Sequence, residues 1–492
     1  MNIIQLNQER EFFWDDYLID TENTTAEHQI LHPHRIDQCF TFDQGYEPLS
    51  MAYPCIVKDN HGYKMYYLTS YPVLPDQRIP RAYEAVLESS DGIHWTRPHL
   101  GLFEHPELEQ NNVVVNYIND GLCVFYDTNP NCAPNEKYKA VGQMLRKDGD
   151  NYIRELHSRT SADGYHFTEA RLVTDKGSFD SLNTVFWKDG RYVCYMRHLR
   201  SAHNGQGMVR DVSVIYSEDF QTWTDPKPLT YRDSEDYQMY TNNIFPYPRG
   251  PQRLIGLPLR YVERSEWTPN CDELGSHAIK QEAMERSSPR VGIAVTDSLF
   301  MTSRDGEDWT RYTSAFMEPE LEDEHNWIYG DTELAYQLID SGGNNYYLYT
   351  TDYTLTQNHP KKLARYEIRK DGFACMAAGA TQREILTKPF TFTGSTLHLN
   401  VQTTAAGSVY VEVLTPEGKP LTPPSVEVYG NSIDRPVHFV AAHDNRSAQH
   451  NTDEIPNNHS QSTEIDLSAY ADQPIRLRFK LREARLYSLW FT

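Results

Sequence analysis

The chain has 492 residues, 39% of them apolar and 12% aromatic, and its mean hydropathy is -0.66. That suits a large globular domain of roughly 370 residues and a smaller one of roughly 115, and no apolar run approaches the roughly 20 residues of a membrane-spanning helix. The formal charge of -23 repels nucleic acid and anionic membranes, so neither is an expected partner.

Seven cysteines, an odd number without a CxxC pair, argue against a disulfide framework or a zinc site. No Gly-rich phosphate loop and no Gly-x-Ser-x-Gly elbow occurs. Nineteen histidines include the close pair His32 and His34, but no acid or Cys stands at ligand spacing. The expectation is therefore an enzyme or binding protein without metal or cofactor. The opening Met1-Asn-Ile-Ile-Gln-Leu lacks a basic segment followed by an apolar one, which points to the cytoplasm.

In chain order, Phe13-Trp14-Asp15-Asp16-Tyr17-Leu18 reads as a strand that closes a ring of sheets. Ala52–Val57, an Asp59-Asn60 turn and Tyr63–Leu68 then read as a hairpin. Asn183–Trp187, Asp189-Gly190 and Arg191–Met196 repeat that layout, and Glu333–Leu338, Asp340 and Tyr346–Thr351 repeat it again. Asp127 stands where the second repeat should turn and reads as structural. A phrase follows the third strand of each unit: Ser89-x-Asp91-Gly92-x-x-Trp95, Ser161-x-Asp163-Gly164-x-x-Phe167, Ser217-x-Asp219-Phe220-x-x-Trp223 and Ser303-x-Asp305-Gly306-x-x-Trp309. Lys370-Asp371-Gly372-Phe373 is a worn fifth copy. The phrase reads as a bend, with Asp accepting backbone N–H bonds and the aromatic filling the gap between blades.

Repeats of this size, rich in tyrosine and turn residues, predict a five-bladed β-propeller over 1–376, with blades at 40–100, 111–170, 178–230, 236–315 and 327–376. A polar insertion from Glu263 to Arg290 reads as a rim loop or an interface arm. From 377 to 492 the pattern alternates apolar and polar, as in Ser408–Leu414 and Ile475–Phe479, and predicts a β-sandwich. Residues 441–463 read as a polar loop within it. The fold class is all-β.

A side chain just ahead of an inner propeller strand faces the central cavity. Counting nine residues back from each hairpin turn reaches Asp180 and Asp331, and in the first blade Ser50, with Glu47 nearby. Glu333 and Asp236 lie in comparable stretches. Two or three carboxyl groups around one pocket suit glycosidic cleavage, one protonating the leaving oxygen and another attacking the anomeric carbon or activating water. Asp180, Glu47, Glu333, Asp331 and Asp236 are therefore the catalytic candidates. Asn183, Arg197, Tyr240, Asn242 and Tyr46 are candidates for binding the sugar. Arg197 reads equally as a partner for an acid.

Five blades, an Asp shortly before a strand–Asp-Gly–strand hairpin, and a trailing sandwich resemble the invertase, levanase and arabinanase superfamily of glycoside hydrolases (families 32 and 43). Trp14–Ile19, Ser90–Trp95, Phe179–Asn183 and Arg476–Ser488 are similar to a set of bacterial propeller-plus-sandwich proteins grouped as family 32-like hydrolases. The chain has no Trp-Met-Asn-Asp-Pro-Asn-Gly, Arg-Asp-Pro or Glu-Cys motif, so the catalytic trio of the invertases finds no matching positions here. The resemblance implies a hydrolase of short oligosaccharides or glycosides, including furanosides such as fructosides or arabinosides. A non-catalytic carbohydrate-binding propeller is the alternative, as is a glycoside phosphorylase or transglycosidase, for which Arg197, Arg210 and Arg260 would supply phosphate contacts. A carbohydrate is the expected partner, and the sandwich could support a homo-oligomer.

Overall fold

The computed structural model describes residues 3–47, 51–70, 82–103, 111–118, 120–353, 360–441 and 464–492. The chain divides into two compact units. One holds residues 32–247 and 251–368, and the other holds 1–31, 248–250 and 369–492. Where the sequence reading grouped residues 1–376, the contacts thus gather the first 31 residues with the C-terminal part.

Among the described residues the larger unit holds five blade sheets and one further three-stranded sheet; the blades are antiparallel except that Thr230–Tyr231 pairs in parallel with Asp308–Arg311 at the outer edge of blade four. Blade one runs Met51–Lys58, Tyr63–Ser70, Ala82–Ser89 and Val113–Ile118 from inside outward. Blade two runs Cys123–Tyr126, Tyr138–Asp148, Asn151–Ser161 and Arg171–Thr174. Blade three runs Thr184–Lys188, Arg191–Ser201, Met208–Ser217 and Lys227–Pro228. Blade four runs Ile244–Tyr247, Gly250–Gly256, Met301–Ser303 and Asp308–Arg311. Blade five runs Ile339–Asp340, Asn345–Asp352 and Lys361–Arg369, and is closed by His34–Phe42. The closing strand is thus His34–Phe42, which pairs with Lys361–Arg369. The Phe13–Leu18 segment does not close the ring. It follows Glu11–Phe12, which pairs instead with Arg476–Phe491.

The inner strands surround one axis. Cys55 bridges Tyr336 in parallel, the Cys55 thiol donates to the Val124 carbonyl, the Thr184 hydroxyl donates to Asn242, and Asn243 donates to the Leu334 carbonyl. At the far ends of these strands all five blades line one cavity of about 380 Å³, through Ile56, Val124, Phe186, Pro246 and Leu338 among others. The near ends carry the polar side chains described below.

The turns follow their residues. Asp189 and Gly190 both have positive φ, at 50° and 81°, and join Lys188 to Arg191 in a two-residue hairpin, as a primed turn requires. The serine phrase is the bend its composition implies. Ser89 Oγ accepts from Gly92 N at 2.8 Å, and Asp91 accepts from Ile93 N and His94 N at 2.8 and 2.9 Å. The phrase also staples neighbouring blades. The Tyr66 hydroxyl of blade one donates to the Gly164 carbonyl of blade two, and that of Tyr195 in blade three to Gly306 in blade four, both at 2.9 Å. Tyr349 of blade five makes the same bond to Gly92. Between blades one and five, and between three and four, the aromatics enter apolar clusters that include Trp95 and Trp309.

The insertion in blade four, expected as a rim loop or an interface arm, is helical, with helices Pro269–Glu273, His277–Arg286 and Pro289–Ile293. Ala, Lys, Gln, Glu and Met in the middle helix are strong helix formers, and the propeller repeat places no strand there. Leu259–Glu263 and Ala294–Ser298 pair at its base, next to Gln238–Met239.

In the smaller unit, Leu397–Leu414 and Arg476–Phe491 pair antiparallel along most of their length. The short strands expected from the alternation fuse into these two long ones, with register shifts at Asn400/Val401 and Thr403/Ser408. Their inward residues, among them Leu399, Val411, Leu477, Phe479 and Leu489, share one core with Phe13, Ile385 and Phe390. The polar loop expected at 441–463 lies almost wholly outside the described residues.

Candidate active site

Several bends use a left-handed backbone at a non-glycine residue: Tyr53, Phe179, Asn243 and Thr332 have φ of 57°, 54°, 41° and 60°. Such positions cost on the order of 1–3 kcal/mol and persist where surrounding structure holds them. Phe179 and Thr332 directly precede Asp180 and Glu333.

Asp180 of blade three accepts from Arg197 at 3.0 Å. Asn183 builds this arrangement. Its amide donates to the carbonyls of Phe179 and Ser181 at 2.9 and 2.8 Å, and its oxygen accepts from Arg197 N at 3.0 Å. The Arg197 guanidinium continues to the Tyr240 carbonyl and lies 4.9 Å from the Tyr240 ring. The Tyr240 hydroxyl is 3.1 Å from that of Tyr53, and the Tyr240 ring packs edge-on against Tyr329 at 5.4 Å. Glu333 of blade five is buried and accepts from Tyr53 N at 3.3 Å. Burial pushes its carboxyl up to about 7.

Asp120 of blade two completes the group, and the nine-residue count missed it. Its carboxylate accepts from Gln143 at 2.5 Å. Burial, then the charge of Asp180, pushes it up to about 7, while Arg154 and Arg197 oppose the rise. Gly121 lets the loop approach Tyr53, because a Cβ there would sit 2.4 Å from Tyr53 Cβ. The buried Glu84 carboxyl accepts from Leu122 N at 3.3 Å. The signal was present as Asp-Gly directly before the apolar run Leu122-Cys-Val-Phe-Tyr. Counting from Asp127 fails because blade two has no tight hairpin there; residues 127–137 form a longer connection with a short 3-10 turn at Pro134–Glu136.

The structure thus gathers Asp180, Glu333, Arg197 and Tyr240 with Asp120, Tyr53 and Tyr329. The other sequence candidates have different neighbours. Glu47 is fully buried and engaged by Arg97 at 2.7 Å, Tyr67 at 2.7 Å and Gln44 N at 2.8 Å. Asp236 accepts from Arg200 and His203 N at 2.7 and 2.8 Å. Asp331 accepts from Trp327 N at 2.9 Å, and burial pushes it up to about 7. Asn242 is spent on Thr184, Tyr195 and Leu182, and the Tyr46 hydroxyl on Asn112.

Asp180 and Arg197 line a cavity of about 290 Å³ with Arg154, Ser178, Arg210 and Arg290. Another cavity, of about 780 Å³, lies elsewhere, around the Asp59 turn, Lys64, Tyr138 and Tyr165 between blades one and two. None of the axial acids lines it. Among the described residues no three His, Cys, Asp or Glu side chains converge as a metal site, and no helix is long and apolar enough to cross a membrane.

No family model matches the chain, and no curated protein does. Solved structures resemble it at low identity. An N-acetylgalactosamine deacetylase from F. plautii, in complex with blood group B trisaccharide, is 15% identical; the match covers 71% of this chain and 96% of that one, with a TM-score of 0.41. A fructofuranosidase variant from Schwanniomyces occidentalis complexed with fructosylnystose is 10% identical over 95% and 98%, with a TM-score of 0.38. A mannose phosphorylase from Leishmania mexicana in complex with phosphate ion is 10% identical over 68% and 88%, with a TM-score of 0.41. Likenesses this distant do not bear on activity, which rests on the side chains themselves.

Proposed function

We propose that this chain is a glycoside hydrolase that works at the axial acid cluster. The observation that carries this reading is that Asp120, whose carboxyl burial and the neighbouring Asp180 push up to about 7, stands beside Asp180, which is bonded to Arg197 at 3.0 Å. Glycosidic cleavage needs one carboxyl group that gives a proton and a second that attacks or activates water. The Asp120 carboxyl gives its proton to the leaving oxygen as the bond to the anomeric carbon breaks. Asp180 attacks that carbon, or takes a proton from the water that does; the separation of the two groups around a bound sugar decides which. Glu333 and the hydroxyls of Tyr53 and Tyr240 bind the ring that sits between them. Arg197 holds Asp180 in place and is a positioning residue.

The substrate in this reading is a short oligosaccharide or glycoside, furanosides included. Phosphorolysis uses the same proton donor with phosphate as acceptor, and the arginines beside Asp180 keep that acceptor in the test. The test is turnover of a panel of aryl glycosides and of fructo- and arabino-oligosaccharides, with and without inorganic phosphate. The expected result is release of a free sugar or a sugar phosphate, lost in Asp180→Asn. Sugar binding without turnover of any glycoside would make the protein a carbohydrate-binding propeller instead.

A further inference from the structure

The chain carries 23 more negative charges than positive ones, yet the cavity at Asp180 is basic. Four guanidinium groups, of Arg154, Arg197, Arg210 and Arg290, share it with one carboxylate. Arg197 bonds Asp180 at 3.0 Å and Arg154 stands 3.9 Å from it. Among the described residues, Arg210 and Arg290 have no carboxylate within ion-pair distance. Both are held by neutral groups. Arg210 donates to Gln238 at 3.1 Å and lies 4.9 Å from the Tyr261 ring, and Arg290 lies 5.7 Å from the same ring. Tyr261 is itself buried.

We infer that this cavity is an oxyanion subsite beside Asp180. One carboxylate leaves three of its four cations unbalanced, and guanidinium forks match the paired oxygens of carboxylate, sulfate or phosphate. Arg210 and Arg290 are oriented by a ring face and an amide, so an arriving anion displaces no competing acid. Arg154 and Arg290 are solvent-exposed, which gives the ligand its way in. Arg290 comes from the helical insertion of blade four, so that insertion builds the subsite. The oxyanion is either a charged substituent of the sugar, as in a uronate or a sulfated residue, or free phosphate acting as acceptor. The identification of its bearer as a sugar rests on the glycoside-cleaving reading of the site; anion capture itself does not.

The experiment is titration calorimetry of the full chain at constant ionic strength, with inorganic phosphate, sulfate, glucuronate and glucose as probes against a chloride background. Wild type should bind at least one oxyanion ten or more times more tightly than glucose. Arg210→Gln and Arg290→Gln should each weaken that binding at least tenfold while keeping the wild-type melting temperature. Binding of phosphate but not glucuronate identifies the free acceptor; the reverse identifies a substituent on the sugar. If no oxyanion binds better than glucose, or if binding survives both substitutions, the subsite does not exist. Anion binding without glycoside turnover would contradict the enzymatic reading alone. Turnover of neutral glycosides without anion binding would contradict the subsite alone.

Discussion

Asp120, Asp180 and Glu333 come from three blades, and burial raises the carboxyls of Asp120 and Glu333 to about 7. Glu333 shows what this costs the fold. Its carboxyl rises from 4.5 to about 7 because it is buried, so the folded state holds a proton that the unfolded chain releases. Stability from this group is full below about pH 4.5 and is lost as pH rises through 7. At about 1.4 kcal/mol per pH unit, the loss at pH 8 is on the order of 3 kcal/mol. Glu333→Gln should therefore melt higher than wild type at pH 8 and close to it at pH 4.5, as scanning calorimetry at both pH values would show. Equal melting at pH 8 would mean that Glu333 does not hold its proton. Asp180 behaves differently. Its Arg197 partner is buried, so Asp180→Asn should lower stability by about 1–2 kcal/mol, because it weakens one side of a partly buried pair. Asp180 could be located in the sequence by counting back from its hairpin turn, whereas the same count in blade five reached Asp331, and Glu333 was a candidate only as its neighbour in that stretch. Asp120 also stands just ahead of an inner strand, but its blade lacks the tight turn from which the others are counted. Glu47 shows the converse: an acid close to that position in sequence is consumed by Arg97 and Tyr67, and no pattern in the chain reveals such pairing.

At the level of the strand and the bend, the repeated serine phrase is a structural staple. Gly164 has a φ of 81°, and a Cβ there would meet the Tyr66 hydroxyl at 2.6 Å. Gly190 has the same φ and no neighbour within 4 Å. Both Gly→Ala changes strain the backbone, but Gly164→Ala also drives Tyr66 from its bond, so chemical denaturation should show it to be the more damaging by about 1 kcal/mol. Equal effects would mean that the hydroxyl bond contributes nothing. Trp309 is fully buried between blades three and four, and Trp309→Ala should cost about 3–5 kcal/mol in the same measurement. The hairpins and the phrase were legible because Asp, Gly and Ser set local backbone geometry by themselves. The insertion in blade four, expected as a rim loop or an interface arm, holds helices that the sequence did not reveal because they are short and polar. The closing strand was misplaced to Phe13–Leu18 because apolar residues mark a strand without naming its partner.

For the molecule as a whole, five sheets bring residues more than 200 positions apart to one axis, and a chemical proposal stands on that convergence. The all-β class and the five repeats followed from the spacing of one phrase. The composition of the pocket followed only in part: Arg197 and Arg210 were candidates for phosphate, Arg260 instead pairs with Asp297, and nothing in a chain of charge -23 set Arg154 and Arg290 beside the central acid. The measurement that tests the account most directly is the pH profile of kcat/KM for wild type and Asp120→Asn, on whichever glycoside the panel shows to be turned over. A proton donor raised to about 7 should give a wild-type profile that falls above pH 7. Asp120→Asn should lose at least 100-fold of kcat/KM and with it that alkaline limb. Undiminished kcat/KM with the limb intact in Asp120→Asn would contradict the central claim.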